Sequence, residues 1–368
     1  MCKTYRAEII GSLLRPVELK EAREKFQQGL LSPAQFKKIE DWAVDNAIRL
    51  QEQSGIDAIN DGEQRRALFI GPLTDYVDGF GMVSESKEIV PDWKKSDETA
   101  SREVKRLAVI GKLRRQRSLA AEEYVYLRAR TSKPIKMTLP SPLMLSLMYS
   151  PRHSATAYPD PFKLFADAVD IVRNEVRELA GLGCTYIQID APELATLVDP
   201  ATRQNVYEAQ GISTDRMLGE GIEMLNAVAD APGVTFGMHL CRGNNAGAWM
   251  ASGGYETISK QVFKRATRFS RFFLEYDDYR SGSFEALRDI PTDKTIVLGL
   301  VSTKKSELEP IEGVAARVDE ASRFFPREQM AVSTQCGFAG VAAGNPISVE
   351  TQTAKLNLVS QVAHKCWT

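Results

Sequence analysis

Three side chains with metal-binding chemistry stand at the ends of predicted strands. His239 and Cys241 close an apolar run that begins near Val234, and Cys336 lies in a second strand-to-loop junction. Side chains alternate faces along a strand, so His239 and Cys241 point the same way, about two rises apart, where one ion could touch both. Thiolate and imidazole ligands favour zinc over magnesium or calcium. Because the sequence has no paired CxxC motifs, we expect a catalytic zinc site rather than a structural zinc module.

A sulfur-rich zinc site is suited to binding a substrate thiol. Zinc displaces the thiol proton and holds a thiolate at neutral pH, where a free thiol with a pKa of about 8.5 is mostly protonated. Hydrolysis is the competing chemistry, but hydrolytic zinc sites favour three histidines or two histidines and a glutamate. We therefore predict alkyl transfer to a thiol. A zinc hydrolase and a non-catalytic, zinc-stabilised barrel that binds a thiol are the minor alternatives.

The elements that must position these residues form a regular series. Near-continuous apolar runs alternate with amphipathic helical patterns, which predicts a parallel sheet covered by helices. Eight such runs favour an α/β fold of the closed (β/α)₈ TIM-barrel type, with a doubly wound open sheet as the alternative. The runs are residues 7–12, 56–61, 135–139, 186–190, 234–241, 272–276, 295–301 and 330–336.

Two segments interrupt the series. Residues 17–53 are predicted to form an N-terminal helical hairpin, with Ser32 as the N-cap of the second helix and Pro33 as its first residue. Residues 64–133 are too long for an ordinary connection, so we predict a helical insertion after strand 2, including a basic helix over 112–130. No internal repeat indicates two domains, and residues 1–368 are predicted to form one barrel domain.

Polar residues at the carboxyl ends of the predicted strands form a second group. In a barrel of this type the active site lies at those ends, so these residues are expected to share one rim. A single strand-end carboxylate is usually a helix cap or an ion-pair partner. A carboxylate together with two thiols and an imidazole, however, suits tetrahedral zinc. The candidates are Gly11, Ser12, Asp61, Glu63, Asp190 and Glu275.

The composition favours a small-molecule partner. The 47 basic and 48 acidic residues nearly balance and form no sustained basic stripe, which argues against nucleic acid and anionic membranes. The sequence shows no signal-peptide core and no apolar stretch of the roughly 18 to 20 residues that span a bilayer. The five cysteines do not form a disulfide framework. We therefore expect a cytoplasmic protein.

The ordered motifs resemble the catalytic barrel of cobalamin-independent methionine synthase, especially its short single-barrel relatives. The matching segments are residues 10–12, 61–63, 187–190, 239–244, 273–276 and 333–338, and the resemblance covers nearly the whole chain. It implies a (β/α)₈ barrel and zinc held by His239, Cys241, Glu275 and Cys336. It also implies methyl transfer to the thiol of homocysteine, giving methionine.

The resemblance further assigns the residues that bind homocysteine. By motif match, Glu63 and Asp190 hold its amino group, and Ser12 in the Gly11-Ser12 turn meets its carboxylate. Such pairing is chemically sensible, since a buried ammonium group needs anionic partners and a carboxylate needs hydrogen-bond donors.

Three departures from the family pattern leave the methyl donor open between folate, corrinoid and other donors. The family's Asp-Glu-Pro is Asp190-Ala191-Pro192 here, and residues 140–149 contain no tryptophan to stack a pterin. After the seventh strand, Val301-Ser302-Thr303-Lys304 lies where the long enzymes place a histidine that protonates the departing folate nitrogen.

The alternative function is that of epoxyalkane:coenzyme M transferase, which is similar to the same short barrel and opens an epoxide with a sulfonate-bearing thiol. It requires cationic side chains near the tail of the thiol, for which Arg15, Arg65, Arg242 and Lys304 are candidates. The retained carboxylates of Glu63 and Asp190 favour an amino-acid thiol.

Overall fold

A computed structural model of the protein describes residues 5–86 and 103–368. In these ranges the main sheet has seven parallel strands in the spatial order β1-β9-β8-β7-β6-β5-β4, and β2 and β3 form a separate antiparallel hairpin. The strands are β1 Ala7–Glu8, β2 Val77–Ser86, β3 Glu103–Arg115, β4 Met137–Pro140, β5 Tyr186–Asp190, β6 Thr235–Leu240, β7 Arg271–Glu275, β8 Thr295–Val301 and β9 Met330–Thr334.

The main sheet curls around a small apolar cluster. Four members lie on β5, β7, β8 and β9, one follows β1, and one lies in the segment 56–61, so the strands must surround them. A larger cluster fills the space between the sheet and the helices. Burial on both faces explains why the strand sequences are nearly continuous apolar runs. The small cluster consists of Ile10, Ala58, Tyr186, Phe273, Val297 and Ala331.

The second predicted strand, residues 56–61, is the exception. It forms one parallel bridge, between Ile59 and Ile135, instead of a strand of the sheet. The amide of Asp57 donates to the carbonyl oxygen of Ala7 at 3.0 Å. The segment therefore joins β1 to the chain just before β4, but the prediction of eight regular strands is wrong on this point.

Side chains explain the irregularity, because they make hydrogen bonds that a strand ladder would otherwise make. The Asp57 carboxylate accepts hydrogen bonds from the amides of Arg6 and Ala7. The Gln51 side chain bonds both the amide and the carbonyl of Asn60. Polar side chains compete with regular structure in this way, and the apolar pattern gave no sign of it.

The predicted helical insertion over residues 64–133 is mainly a β-hairpin. It contains the short helix α3 (Gly71–Asp75), strands β2 and β3, and helix α4 (Ala121–Arg128), while residues 87–102 lie outside the described residues. The predicted helix over 112–130 is therefore wrong for its first residues, which continue β3. Burial alternates from residue 110 to 116, the period of a strand, whereas the clustered charges suggested a helix face.

The predicted N-terminal helical hairpin is confirmed by α1 (Val17–Gln27) and α2 (Pro33–Gln53). Ser32 caps α2 in a full capping box with Gln35, and Pro33 occupies the first helical position. The other helices are α5 Pro161–Gly181, α6 Pro192–Ala195, α7 Pro200–Thr202, α8 Thr214–Arg216, α9 Ile222–Val228, α10 Ser259–Arg265, α11 Ile311–Ala321 and α12 Val349–Trp367. None of the described helices is long and apolar enough to cross a bilayer.

Candidate metal and thiol site

The structure brings His239, Cys241 and Cys336 together at the carboxyl ends of β6 and β9. Their ligand atoms all lie within 4.8 Å of one another, and the two sulfur atoms are 3.8 Å apart. Tetrahedral zinc with Zn–S bonds of about 2.3 Å would set two sulfurs roughly 3.8 Å apart. The spacing of these side chains therefore fits a zinc ion.

His239 is oriented by a neighbouring carboxylate. Its Nδ1 lies 3.0 Å from Oδ1 of Asp190, which also accepts a hydrogen bond from Gln188. The buried Nε2 of His239 has no hydrogen-bond partner. A carboxylate on one ring nitrogen fixes the ring so that the other nitrogen faces a metal. The predictions missed this contact, although Asp190 and His239 are paired in the parallel register of β5 and β6.

The thiol of Cys241 holds a proton that a bound metal ion would have to displace. Cys336 donates a hydrogen bond to Cys241, and this bond together with burial raises the pKa of Cys241 well above its ordinary value. At neutral pH the metal-free Cys241 therefore keeps its proton. A metal ion has to displace that proton, so its affinity should fall as the pH is lowered.

Glu275, the predicted fourth ligand, lies outside this group of three. At the end of β7 it accepts hydrogen bonds from the Arg242 backbone amide at 2.6 Å, from Lys304 at 2.9 Å and from Arg280 at 3.2 Å. Burial alone would raise its pKa, but Lys304, Arg242 and Arg280 together lower it to about 2. Glu275 is therefore an ionised carboxylate held by three cationic residues.

A cavity of about 110 Å³ opens beside the sulfur atoms. Its wall contains six of the predicted site residues, namely Ser12, Glu63, Asp190, His239, Cys241 and Cys336. Gly11 lies behind the wall, where a Cβ atom would come within 2.5 Å of Oε1 of Glu63. The glycine of this turn thus makes room for the carboxylate.

Glu63 is held in an unusual conformation toward this cavity. Its φ of 53° lies in the left-handed region, a strain of about 1 kcal/mol or more for a residue other than glycine. Arg15 donates to its carbonyl oxygen, and Thr138 donates to its Oε1 at 2.8 Å. The buried Oε2 has no partner. The carboxylate is thus fixed with one oxygen unused.

Arg242 and Lys304, which were predicted to bind substrate, do not line the cavity. The buried guanidinium of Arg242 donates to the carbonyl oxygens of Gly253, Glu275 and Ser281. Lys304 forms ion pairs with Glu275, Asp277 and Asp278. Both side chains contact Glu275 at the end of β7, and their role in binding substrate stays a prediction.

The two other cations considered for a sulfonate are also engaged elsewhere. Arg15 donates to backbone carbonyls, and Arg65 pairs with Asp41. Among the described residues that line the cavity there is no lysine or arginine. The wall does contain Glu193, a buried carboxyl that the predictions missed because it matches no motif.

Comparison with known proteins places this geometry in a family. Residues 6–242 match the family described as "Cobalamin-independent synthase, Catalytic domain". The chain is 34% identical to "Uncharacterized protein YxjH" of Bacillus subtilis, over 99% of this chain and 95% of that protein. It is 22% identical to the yeast "5-methyltetrahydropteroyltriglutamate--homocysteine methyltransferase", over 89% of this chain and 38% of the enzyme.

Two solved structures share the fold of this chain. A "B12-independent methionine synthase" from Shewanella, in complex with selenomethionine, has a TM-score of 0.76 at 20% identity and covers 98% of both chains. A "Putative Vitamin-B12 Independent Methionine Synthase" from Listeria monocytogenes has a TM-score of 0.73 at 25% identity, over 100% of this chain and 99% of that one. The fold is thus the TIM-like barrel of these synthases. The chain belongs to the cobalamin-independent methionine synthase family, as its motifs predicted.

Proposed function

We propose that the protein is a zinc-dependent S-methyltransferase that methylates homocysteine to methionine. The observation that carries the proposal is the convergence of two sulfurs and an unpartnered imidazole nitrogen on one cavity. Membership of the family and the names of the relatives support methyl transfer to homocysteine.

His239, Cys241 and Cys336 would hold the metal, and Glu275 is the fourth ligand that the family resemblance implies. Zinc, when bound, stabilises the thiolate form of an acceptor thiol at neutral pH. Asp190 keeps the imidazole of His239 turned toward the metal position. The two cysteine thiolates balance the charge of the cation, which leaves the acceptor sulfur electron-rich.

The acceptor's amino-acid group fits the rest of the wall. The unpaired Oε2 of Glu63 would accept a hydrogen bond from its ammonium group, a charge-assisted contact. Ser12 would donate to its carboxylate. Gly337 keeps that hydroxyl accessible, since a Cβ there would lie 2.0 Å from Oγ of Ser12.

Coenzyme M gains no support as the acceptor. Its sulfonate needs a cation, and the described wall of the cavity contains none. The relatives' names refer to homocysteine and methionine. We therefore do not retain the epoxide-opening alternative.

We also propose that residues 1–368 form one catalytic domain to which the 64–133 insertion belongs. The hairpin supports the cavity wall, because Arg106 on β3 donates to the carbonyl oxygen of Leu147, a wall residue. The amide of Val109 also donates to the carbonyl oxygen of Met148.

The test combines metal analysis with zinc-edge X-ray absorption, with and without homocysteine. Wild type is expected to hold one zinc per chain and to gain a sulfur ligand when homocysteine is added. Cys336→Ala should lose the zinc, whereas Cys184→Ala, a matched change at a buried cysteine outside the cavity, should keep it. An unchanged zinc shell after homocysteine addition would contradict the proposal.

Turnover assays complete the test by pairing homocysteine with methyl donors and coenzyme M with epoxypropane. Product is expected only in the assays that contain homocysteine and a methyl donor, and that product should be methionine. Product from coenzyme M only, or zinc-dependent hydrolysis without a thiol, would replace this function with another.

A further inference from the structure

Glu193 has a carboxyl oxygen without a partner beside the metal and thiol site. It lies in the first turn of α6, is fully buried and lines the same cavity as His239 and Cys241. Its Oε1 accepts a hydrogen bond from the buried hydroxyl of Ser141 at 2.6 Å. Its Oε2 has no hydrogen-bond partner.

The surroundings of Glu193 favour the un-ionised acid. A buried carboxylate that faces no cation is costly, so such a group keeps its proton. The charged group that acts on it is the carboxylate of Asp190, and Tyr207 on the next segment approaches only its backbone carbonyl. Burial, with a smaller effect of Asp190, raises the pKa of Glu193 to about 8. At neutral pH it therefore has an O–H to donate.

Three buried polar atoms on the cavity wall lack partners in the described structure, and two have a role in the proposed function. Nε2 of His239 would meet the metal, and Oε2 of Glu63 would meet the ammonium group of the acceptor. Oε2 of Glu193 remains, and the methyl donor is the reactant that still lacks a contact. Lys304 is an ion-paired cation that does not reach the wall, so it offers the donor no proton.

We propose that Glu193 contacts the methyl donor and gives its proton to the atom from which the methyl group departs. The inference rests on the proposed function and adds a catalytic residue to it. This role requires a donor whose leaving atom becomes basic, such as the N-methyl pterin in the name of the yeast relative. A sulfonium or a methylcorrinoid releases its methyl group without needing a proton.

The electron pair of the acceptor thiolate forms the new S–CH₃ bond, the CH₃–N bond breaks, and its pair stays on nitrogen. That nitrogen takes the proton from Oε2, and Glu193 becomes a carboxylate. The acceptor releases one proton when it binds as a thiolate, which equals the proton that Glu193 must regain. The sum is R–SH and CH₃–NR₂ giving R–S–CH₃ and H–NR₂.

Infrared spectroscopy tests the protonation state independently of turnover. Glu193→Gln keeps the size of the side chain but has no acidic proton. The infrared spectrum of wild type minus that of this variant, both at pH 7, is expected to show the carbonyl band of a protonated carboxyl group. Ser141→Ala should shift the band without removing it. Absence of the band in folded, zinc-containing protein would overturn the inference.

Kinetics tests the proton transfer. With 5-methyltetrahydrofolate as the N-methyl probe, Glu193→Gln should lower kcat by at least about 100-fold and change KM by less than about threefold, as expected for loss of a general acid. Methylation of bound homocysteine by methyl iodide, whose leaving iodide takes no proton, should stay within about twofold of wild type. Wild-type kcat should fall as the pH rises through about 8, and the variant should lack this decline.

The outcomes separate the two proposals. If methyl iodide fails to methylate homocysteine on wild type, the proposed function itself fails. If it succeeds but Glu193→Gln matches wild type with 5-methyltetrahydrofolate, only the role of Glu193 is lost. The role of Glu193 would also be overturned if S-methylmethionine or methylcobalamin were the only methyl donors that wild type uses. If wild type uses no donor in this panel, absence of the infrared carbonyl band of Glu193 would still overturn the inference.

Discussion

The two ends of the same strands carry buried polar clusters that differ in one respect. At the amino ends, Glu8 accepts hydrogen bonds from Tyr186 at 2.7 Å and from Arg271 at 2.5 Å, and lies 3.4 Å from Lys136. We call these four residues the Glu8 cluster. Both oxygens of its carboxylate are in use, and Lys136 also lies 4.2 Å from the Phe273 ring.

At the carboxyl ends, the cavity wall has unpartnered atoms on His239, Glu63 and Glu193. Burying a polar atom without a partner is costly, so such atoms are rare unless a ligand supplies the missing contact. Glu8 has both carboxyl oxygens paired, whereas Glu63 and Glu193 each keep one buried oxygen unpaired on the cavity wall. We take this difference in carboxyl pairing to distinguish a stabilising cluster from a binding site. Mutations at the two ends should therefore affect different measurements.

The largest effect is expected from Cys336→Ser at the binding end. Loss of a zinc ligand should lower kcat/KM by at least about a thousandfold, roughly 4 kcal/mol of transition-state stabilisation. The unfolding free energy of the metal-free protein should change by less than about 1 kcal/mol, because no paired cluster is broken. Steady-state kinetics and urea unfolding in chelator measure the two quantities. A large loss of metal-free stability would erase the contrast between the ends.

Glu8→Ala should show the opposite pattern. Removing this carboxylate leaves Lys136 and Arg271 buried without their shared anion, at a cost of about 3–5 kcal/mol in unfolding free energy. Zinc content and kcat per folded chain should stay within about twofold of wild type. Urea unfolding and metal analysis of the folded fraction provide the measurements, with Glu8→Gln as the matched variant that retains the shape. Zinc loss at unchanged stability would contradict the assignment.

Asp190→Asn tests the contact that orients His239. The amide can rotate to present an NH₂ group to Nδ1, which weakens the preference for a metal on Nε2. We expect zinc affinity to fall by about 10- to 100-fold, as for other changes behind a metal ligand. Competition with a chromophoric chelator measures it. Unchanged affinity together with a raised KM would return Asp190 to the predicted role of binding the amino group.

The smallest effect is expected from Glu63→Gln. Hydrogen bonds to charged groups contribute about 1.5–3 kcal/mol, so the KM for homocysteine should rise by roughly tenfold or more at similar kcat. As a control, 4-mercaptobutyrate, which lacks the amino group, should be used equally by both proteins. A similar loss with both thiols would show that Glu63 does not recognise the ammonium group.

Much of this site was predictable from the sequence because strand ends carry their side chains to a common rim. His239, Cys241 and Cys336 needed only a parallel sheet to meet. Glu275 shows the limit, since its contacts with Lys304 and Arg280 depend on loop conformations that no periodicity encodes. Glu193 belongs to no motif, and only the described surroundings reveal its unused oxygen.

The fold, like the site, was predictable where it depends on apolar strand patterns and not where it depends on particular side-chain contacts. Seven apolar runs became strands because buried parallel strands need little beyond continuous hydrophobicity. Residues 56–61 did not, because Gln51 and Asp57 supply side-chain hydrogen bonds that an apolar pattern does not predict. The hairpin of β2 and β3 was mistaken for a helix because its charges concealed a two-residue period.

The irregular segment 56–61 has a consequence for how the protein opens. It contributes a single bridge, whereas β5 and β6 share a register of five residue pairs. Side-chain hydrogen bonds from Gln51 and Asp57 replace part of the missing ladder, and we expect amides of this segment to exchange with solvent deuterium sooner than those of β6, whose bonds lie within a continuous sheet. Glu63 follows two residues later. Local opening of residues 56–61 would move the carboxylate that would hold the acceptor, so we expect substrate capture to depend on the local stability of this segment.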